Sequence, residues 1–162
     1  MELILDSDSI IKLNQIGALE IVVKAFPCVI PQAVYQETVI DGRQRGRPDA
    51  EFIDRIVTAW VEIAVAPQGN VPFPVRGPGE REVLALAMDR GGDAWVVSDD
   101  RQFVNRVTQI RRSRLLPIDL IPVLARYELI SMTVAREFLE LFRPLTRGQS
   151  YLDALKDLEG QE

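Results

Sequence analysis

The stretch ELILDSDSIIKL, Glu2 to Leu13, decides the fold. An apolar run bounded by acids reads as a short buried strand. It ends abruptly at Asp6. Ser7, Asp8 and Ser9 follow, side chains suited to capping the start of a helix. Ile10, Ile11, Leu13 and Ile16 then recur at helical spacing, and Gly17 stops them. Strand, acid and helix in that order make the first half of a βαβ unit.

Working outward, the pattern repeats. Leu19 to Val23 suggests a short helix, and Cys28 to Ile30 a strand ended by Pro31, which suits the first position of a helix over QAVYQETVI. DGRQRGRPD reads as a polar loop. Helix resumes through AEFIDRIVTAW, and VEIAVA alternates as a strand. The Pro- and Gly-rich PQGNVPFPVRGPG reads as a long loop suited to a functional flap. EREVLALAMDRGG is a helix with a glycine stop. Ala94 to Ser98 is the next strand, and it too runs into acids, in VVSDDRQF (Val96 to Phe103). A helix over Asp100 to Val107, a last strand at LLPID, and helices at IPVLARYELI and TVAREFLELF complete the domain. Strands alternating with helices predict an α/β layered fold, a mostly parallel sheet and right-handed crossovers. The expected division is one domain over residues 1–145 and a tail over 146–162, a short helix or disordered.

The composition narrows the chemistry. In 162 residues there is no histidine and one cysteine, Cys28. This excludes a Ser-His-Asp or Cys-His pair, a His-rich zinc site and an intrachain disulfide. Cys28, inside the apolar FPCVIP, reads as a small buried hydrophobe. Carboxylates are then the natural catalytic groups and hard cations their natural partners. A net charge of −5 gives no general attraction to nucleic acid, so such binding needs local basic clusters or bound metal. No apolar run is long enough to span a bilayer, and the acidic start does not resemble a signal peptide; the expected location is cytoplasmic.

In open parallel sheets ligands bind beyond the carboxyl ends of the strands, where the strand order reverses. Asp6, Asp99 and Asp100 stand at two such ends. Glu80 opens a helix after Gly77-Pro78-Gly79, and Glu37 closes another. Converging carboxylates repel, and a divalent cation relieves that repulsion while suiting phosphodiester hydrolysis. Each acid also has a structural reading. Asp6, Asp99 and Asp100 fit as helix caps, Glu80 and Glu82 as acids favoured in a first helical turn, and Glu37 as a surface acid. The residues alone leave both readings open.

Taken together, DSDSIIKL, VIPQAVYQE, GPGEREVLALA, VVSDDRQF and LLPIDLIPVLARYELI resemble, in order, the motifs of the PIN domain. They are most similar to the VapC-like branch with D-S-S-x-L-I-x-L and G-x-G-E-x-E motifs. The likeness spans residues 2–142. It implies a three-layer α/β/α sandwich with a five-stranded sheet, and an endoribonuclease that leaves a 5′-phosphate and a 3′-hydroxyl. The implied catalytic acids are Asp6, Glu37, Glu80 and Asp100. Asp6, Glu80 and Asp100 would hold Mg²⁺ or Mn²⁺, with Asp99 exchanging for Asp100 under a one-residue slip. Ser7, Asp8 and Ser98 would stand just behind the ligands. Asp8 departs from the family's usual Ser, Thr or Asn, and Tyr127-Glu128 stands where relatives often have glycine.

Two basic clusters offer RNA phosphate contacts: Arg43, Arg45 and Arg47, and then Arg106, Arg111, Arg112 and Arg114. As single residues these are also ordinary solvated charges. Tyr35, Trp60, Phe73 and Trp95 are candidate base-stacking groups, with core packing favoured for Trp60 and Trp95. The resemblance further implies a cognate antitoxin protein and a homodimer. The competing reading is a catalytically silent module of the same fold that binds RNA or a partner protein. A nucleotide-binding α/β protein is disfavoured, because neither a P-loop nor a G-x-G-x-x-G turn is present.

Overall fold

The computed structural model describes residues 1–68, 71, 72 and 74–161. Five strands form one sheet: β1 (Glu2–Leu5), β2 (Cys28–Pro31), β3 (Val61–Ala64), β4 (Ala94–Val97) and β5 (Ser113–Leu115). Their spatial order is β3-β2-β1-β4-β5, and every pairing is parallel. The sheet is thus fully, rather than mostly, parallel. The central strands are buried, as parallel strands covered on both faces must be.

From β1 the chain steps outward through α1 (Ser7–Gln15) and α2 (Leu19–Ala25) to β2. It continues through α3 (Gln32–Tyr35), a π-helical turn (Gln36–Ile40), α4 (Asp41–Gln44) and α5 (Ala50–Trp60) to β3. It then crosses back over the sheet. Helix α6 (Pro78–Arg90) packs on β2, β1 and β4 and delivers β4 to the free side of β1. Right-handed crossovers in opposite directions place helices on opposite faces, which makes the three layers. The reversal of strand order falls between β1 and β4, where Leu5 pairs with Val97.

α7 (Arg101–Gln109) leads into β5. A 3₁₀ turn (Pro117–Asp119), α8 (Leu120–Arg126), α9 (Met132–Phe142) and α10 (Gly148–Glu159) complete the chain. The expected tail is a helix packed on α8 and α9, with Tyr151, Ala154 and Leu158 buried in the common core.

The structure differs from the sequence expectations at several points. The last strand is Ser113–Leu115, earlier than LLPID: Pro117 cannot donate to a ladder, and Asp119 accepts from the Leu116 N–H at 2.9 Å to fix a turn there. The polar loop after Ile40 begins as α4 and breaks at Gly46, whose φ is +69°. Trp60 is no core residue. It is 52% exposed at the end of α5, with Lys24 above its ring. Trp95 does pack against the core, and Cys28 is buried, which pushes its thiol up to about 12. Phe73 lies outside the described residues, as do Gly69 and Asn70 of the expected flap.

Candidate metal centre

Asp6 and Ser98 follow the paired residues Leu5 and Val97, so the carboxyl ends of β1 and β4 open together at the switch point. Asp6 is the N-cap of α1, its Oδ1 accepting from the Ser9 N–H at 2.7 Å. The Asp6 N–H donates to the Val97 carbonyl, and the buried Ser9 hydroxyl donates to the same oxygen at 3.0 Å. Asp6 therefore sits rigidly between the two strand ends. Burial pushes its carboxyl up to about 6, against hydrogen bonds from Ser9 and Ser98 that work to lower it. The buried Ser98 ties the two ends together, because its Oγ also accepts from the Asp100 N–H at 3.3 Å.

Asp100 is the N-cap of α7. Its Oδ1 accepts from the Gln102 and Phe103 N–H groups at 2.8 and 3.1 Å. The neighbouring Asp99 is engaged elsewhere, accepting from Lys12 Nζ at 2.6 Å. Asp8 reaches the same ammonium at 2.6 Å. Burial raises the Asp99 pKa even with this partner, and burial of Lys12 is outweighed by the two acids, so its pKa also rises.

Glu37 lies in the π-helical turn, where the wider winding displaces a residue from ordinary α-helical register. Ser7 Oγ donates to its Oε2 at 2.5 Å and the Gly79 N–H to its Oε1 at 3.3 Å. Gly79 is required by this packing: a Cβ there would lie 2.8 Å from both Glu37 oxygens. Glu80 follows in the first turn of α6. Its Oε2 accepts from the Arg76 N–H at 2.7 Å, and its Oε1 is ion-paired with Arg106.

One pocket of about 390 Å³ gathers these groups. Asp6, Glu37, Glu80 and Asp100 all line it, with Ser7, Asp8 and Arg76. Asp99 and Ser98 do not. Nor do the arginines proposed for RNA. Arg43 is paired with Glu51 and Asp54, Arg47 with Asp49, and Arg112 donates to the Met88 carbonyl, while Arg45 is exposed. Tyr35 donates its hydroxyl to Asp54 at 2.7 Å. Sequence reasoning missed Lys12 and Arg76 at the site and the specific partnership of Arg106 with Glu80. Only tertiary packing brings Arg106 to an acid 26 positions earlier.

The donors suit a hard cation. They are carboxylate oxygens, with no imidazole or thiolate nearby, and Asp6 is a buried acid whose charge has no cationic partner among the described residues. Among the described residues, however, no three acids converge closely enough to share one ion, and Arg106 holds Glu80. Loading would require the Glu80–Arg106 pair to open.

The family model DUF3368, a PIN domain, matches residues 2–107, more than half of the chain. The chain belongs to the PIN domain family. A solved PilT N-terminus domain protein from the hyperthermophilic archaeon Sulfolobus solfataricus P2 is similar in fold, with a TM-score of 0.53 at 12% identity. The likeness covers 74% of this chain and 90% of that one. No curated protein matches. PIN domains are generally nucleases and typically use divalent metal ions. Among the described residues of this PIN domain, no helix is long and apolar enough to cross a membrane.

Proposed function

We propose that this PIN domain is a metal-dependent endoribonuclease of the VapC-like kind, the toxin of a toxin–antitoxin pair. The observation that carries the reading is the convergence of Asp6, Glu37, Glu80 and Asp100, from four separate parts of the chain, on one pocket at the switch point. Asp6 and Asp100 would hold Mg²⁺ or Mn²⁺, joined by Glu80 once it leaves Arg106. When bound, such an ion supplies positive charge for the phosphate and lowers the pKa of a water. Glu37, fixed by Ser7 and the Gly79 N–H, would orient that water and accept its proton at a carboxylate oxygen. Ser98 keeps Asp6 and Asp100 in register, and Asp8 and Asp99 set the charge around Lys12. Hydrolysis would leave a 5′-phosphate and a 3′-hydroxyl. A cognate antitoxin, a homodimer and a cytoplasmic setting belong to the same proposal. Its test is cleavage of labelled RNA with Mn²⁺ or Mg²⁺, lost in EDTA and in folded Asp6→Asn.

The Glu80–Arg106 ion pair favours a second reading, a silent module in which arginine permanently replaces the cation. Calorimetry separates the two. A silent module takes up no Mn²⁺, with or without the Arg106→Gln substitution.

A further inference from the structure

A second pocket, of about 590 Å³, adjoins the acid pocket, and Asp8 and Asp100 line both. Lys12 sits at the shared end, pairing with Asp8 and Asp99. Away from that end the lining mixes apolar Val104, Leu116 and Leu145 with Arg101 from α7, Arg114 from β5, Arg147 before α10, and Gln149 and Ser150 from its opening turn. The side chains of Arg101, Arg114 and Arg147 make no hydrogen bond or ion pair among the described residues. Arg43, Arg47, Arg90 and Arg106, by contrast, are all taken by carboxylates.

We propose that this groove carries the phosphate backbone of a single RNA strand where it leaves the acid pocket. The proposal rests on the ribonuclease reading for its class of ligand. Three guanidiniums on one concave surface, with no hydrogen-bonded or ion-paired partner among the described residues and with the longer-range charge of Asp119 near Arg114, present planar forks that match phosphate oxygens, and a neutral donor such as the Ser150 hydroxyl binds phosphate in the same way. A strand with one phosphodiester in the acid pocket must continue past Asp8 or Asp100, and this groove opens there. Residues 114 to 150 lie beyond the family match, which ends at residue 107, so much of this wall lies outside that match. The arginines that line this groove are Arg101, Arg114 and Arg147, whereas Arg43, Arg47 and Arg112 are engaged by other groups.

The test is anisotropy of a fluorescein-labelled, mixed-sequence single-stranded RNA in EDTA, across a KCl series. It compares the wild type, the Arg114→Gln/Arg147→Gln double variant, and Lys156→Gln on the exposed side of α10. Thermal melts check that all three fold alike. The double variant should bind at least roughly tenfold more weakly. Its slope of log affinity against log salt should be shallower by about 1.4, or ~0.7 for each phosphate that is no longer neutralised. Lys156→Gln should match the wild type. Equal affinity and slope for the double variant and the wild type would overturn the groove. So would a double variant that keeps RNA binding but no longer binds a polyglutamate peptide, which would assign the groove to an acidic protein segment. Separate Mn²⁺ assays distinguish the two proposals. RNA cleavage by the wild type, with an unchanged KM in the double variant, overturns the groove and leaves the nuclease. Groove-dependent binding with no cleavage of any RNA overturns the nuclease and leaves the groove.

Discussion

The Glu37 carboxylate rests against the Cα of Gly79, so close that a Cβ at that position would come within 2.8 Å of both its oxygens. The same carboxylate accepts the Gly79 N–H and the Ser7 hydroxyl. The second glycine of Gly77-Pro78-Gly79-Glu80 is thus a space requirement of an acid on another element, and conformational freedom is not what demands it.

Gly79→Ala should therefore displace Glu37 while leaving the fold intact. The expected cost is ~1–3 kcal/mol of stability from overpacking and a roughly 100-fold loss of cleavage rate from misplacing the acid. Thermal melts and single-turnover cleavage measure the two. A variant with wild-type activity would show that the position of Glu37 does not matter to the chemistry.

Asp6→Asn should stabilise the metal-free protein at neutral pH. The Asp6 pKa rises from 3.8 to about 6 on folding, so the native state holds the proton more tightly than the unfolded state between those values. Stability is full below about pH 4, falls as pH rises through that window, and stays reduced above about 6. A shift of about two pH units corresponds to at most roughly 3 kcal/mol. Asparagine keeps an oxygen for the Ser9 N–H and removes the charge. Urea denaturation in EDTA should show Asp6→Asn more stable than the wild type at pH 8 and equal to it below pH 4. A less stable Asp6→Asn at pH 8 would refute the assigned strain.

Arg106→Gln should tighten Mn²⁺ binding. In the wild type a cation must compete with Arg106 for Glu80. Removing the guanidinium removes that competition, and part-buried ion pairs of this kind correspond to roughly 1–2 kcal/mol, or about 5- to 30-fold in affinity. Titration calorimetry reads the change. Unaltered or weaker binding would mean that Glu80 does not join the site.

Much of this was legible in the chain. Strand ends running into acids can be read from Leu5-Asp6 and Val97-Ser98-Asp99-Asp100 without a structure, because an apolar run and a capping group each have a local signature. What could not be read was direction. Asp99 and Asp100 are adjacent and chemically identical, yet one caps α7 and the other turns to Lys12, a choice made by packing between elements. The partners of the arginines were hidden for the same reason: Arg43 pairs with Glu51 and Asp54 and Arg47 with Asp49, contacts that the sequence does not display. The last helix was legible as an element but not in its packing. Tyr151, Ala154, Leu155 and Leu158 carry a helical stripe, but only α8 and α9 show what that stripe covers.

Glu128→Gly should stabilise the fold slightly. Helix α8 ends with the Leu129 N–H bonded to the Leu124 carbonyl and the Glu128 N–H to that of Ala125, which puts Glu128 at φ +57°. This is the left-handed position that glycine fills most easily, at a cost of ~1–2 kcal/mol for a residue with a Cβ. The greater unfolded freedom of glycine offsets ~0.5–1 kcal/mol of the gain. A rise in Tm of a few degrees is expected, and a fall would place the strain elsewhere.

The central claim is that Asp6 and Asp100 belong to one metal-dependent hydrolytic centre. Its most direct measurement is cleavage of end-labelled RNA by purified protein, freed of any bound partner, with Mn²⁺ or Mg²⁺. Asp6→Asn, Asp100→Asn and an EDTA arm run alongside, each variant checked for folding. The account predicts cleavage to 5′-phosphate and 3′-hydroxyl ends that disappears in EDTA and in both folded variants. Cleavage that survives in folded Asp6→Asn, or no cleavage of varied RNAs together with no Mn²⁺ uptake by calorimetry, would contradict it.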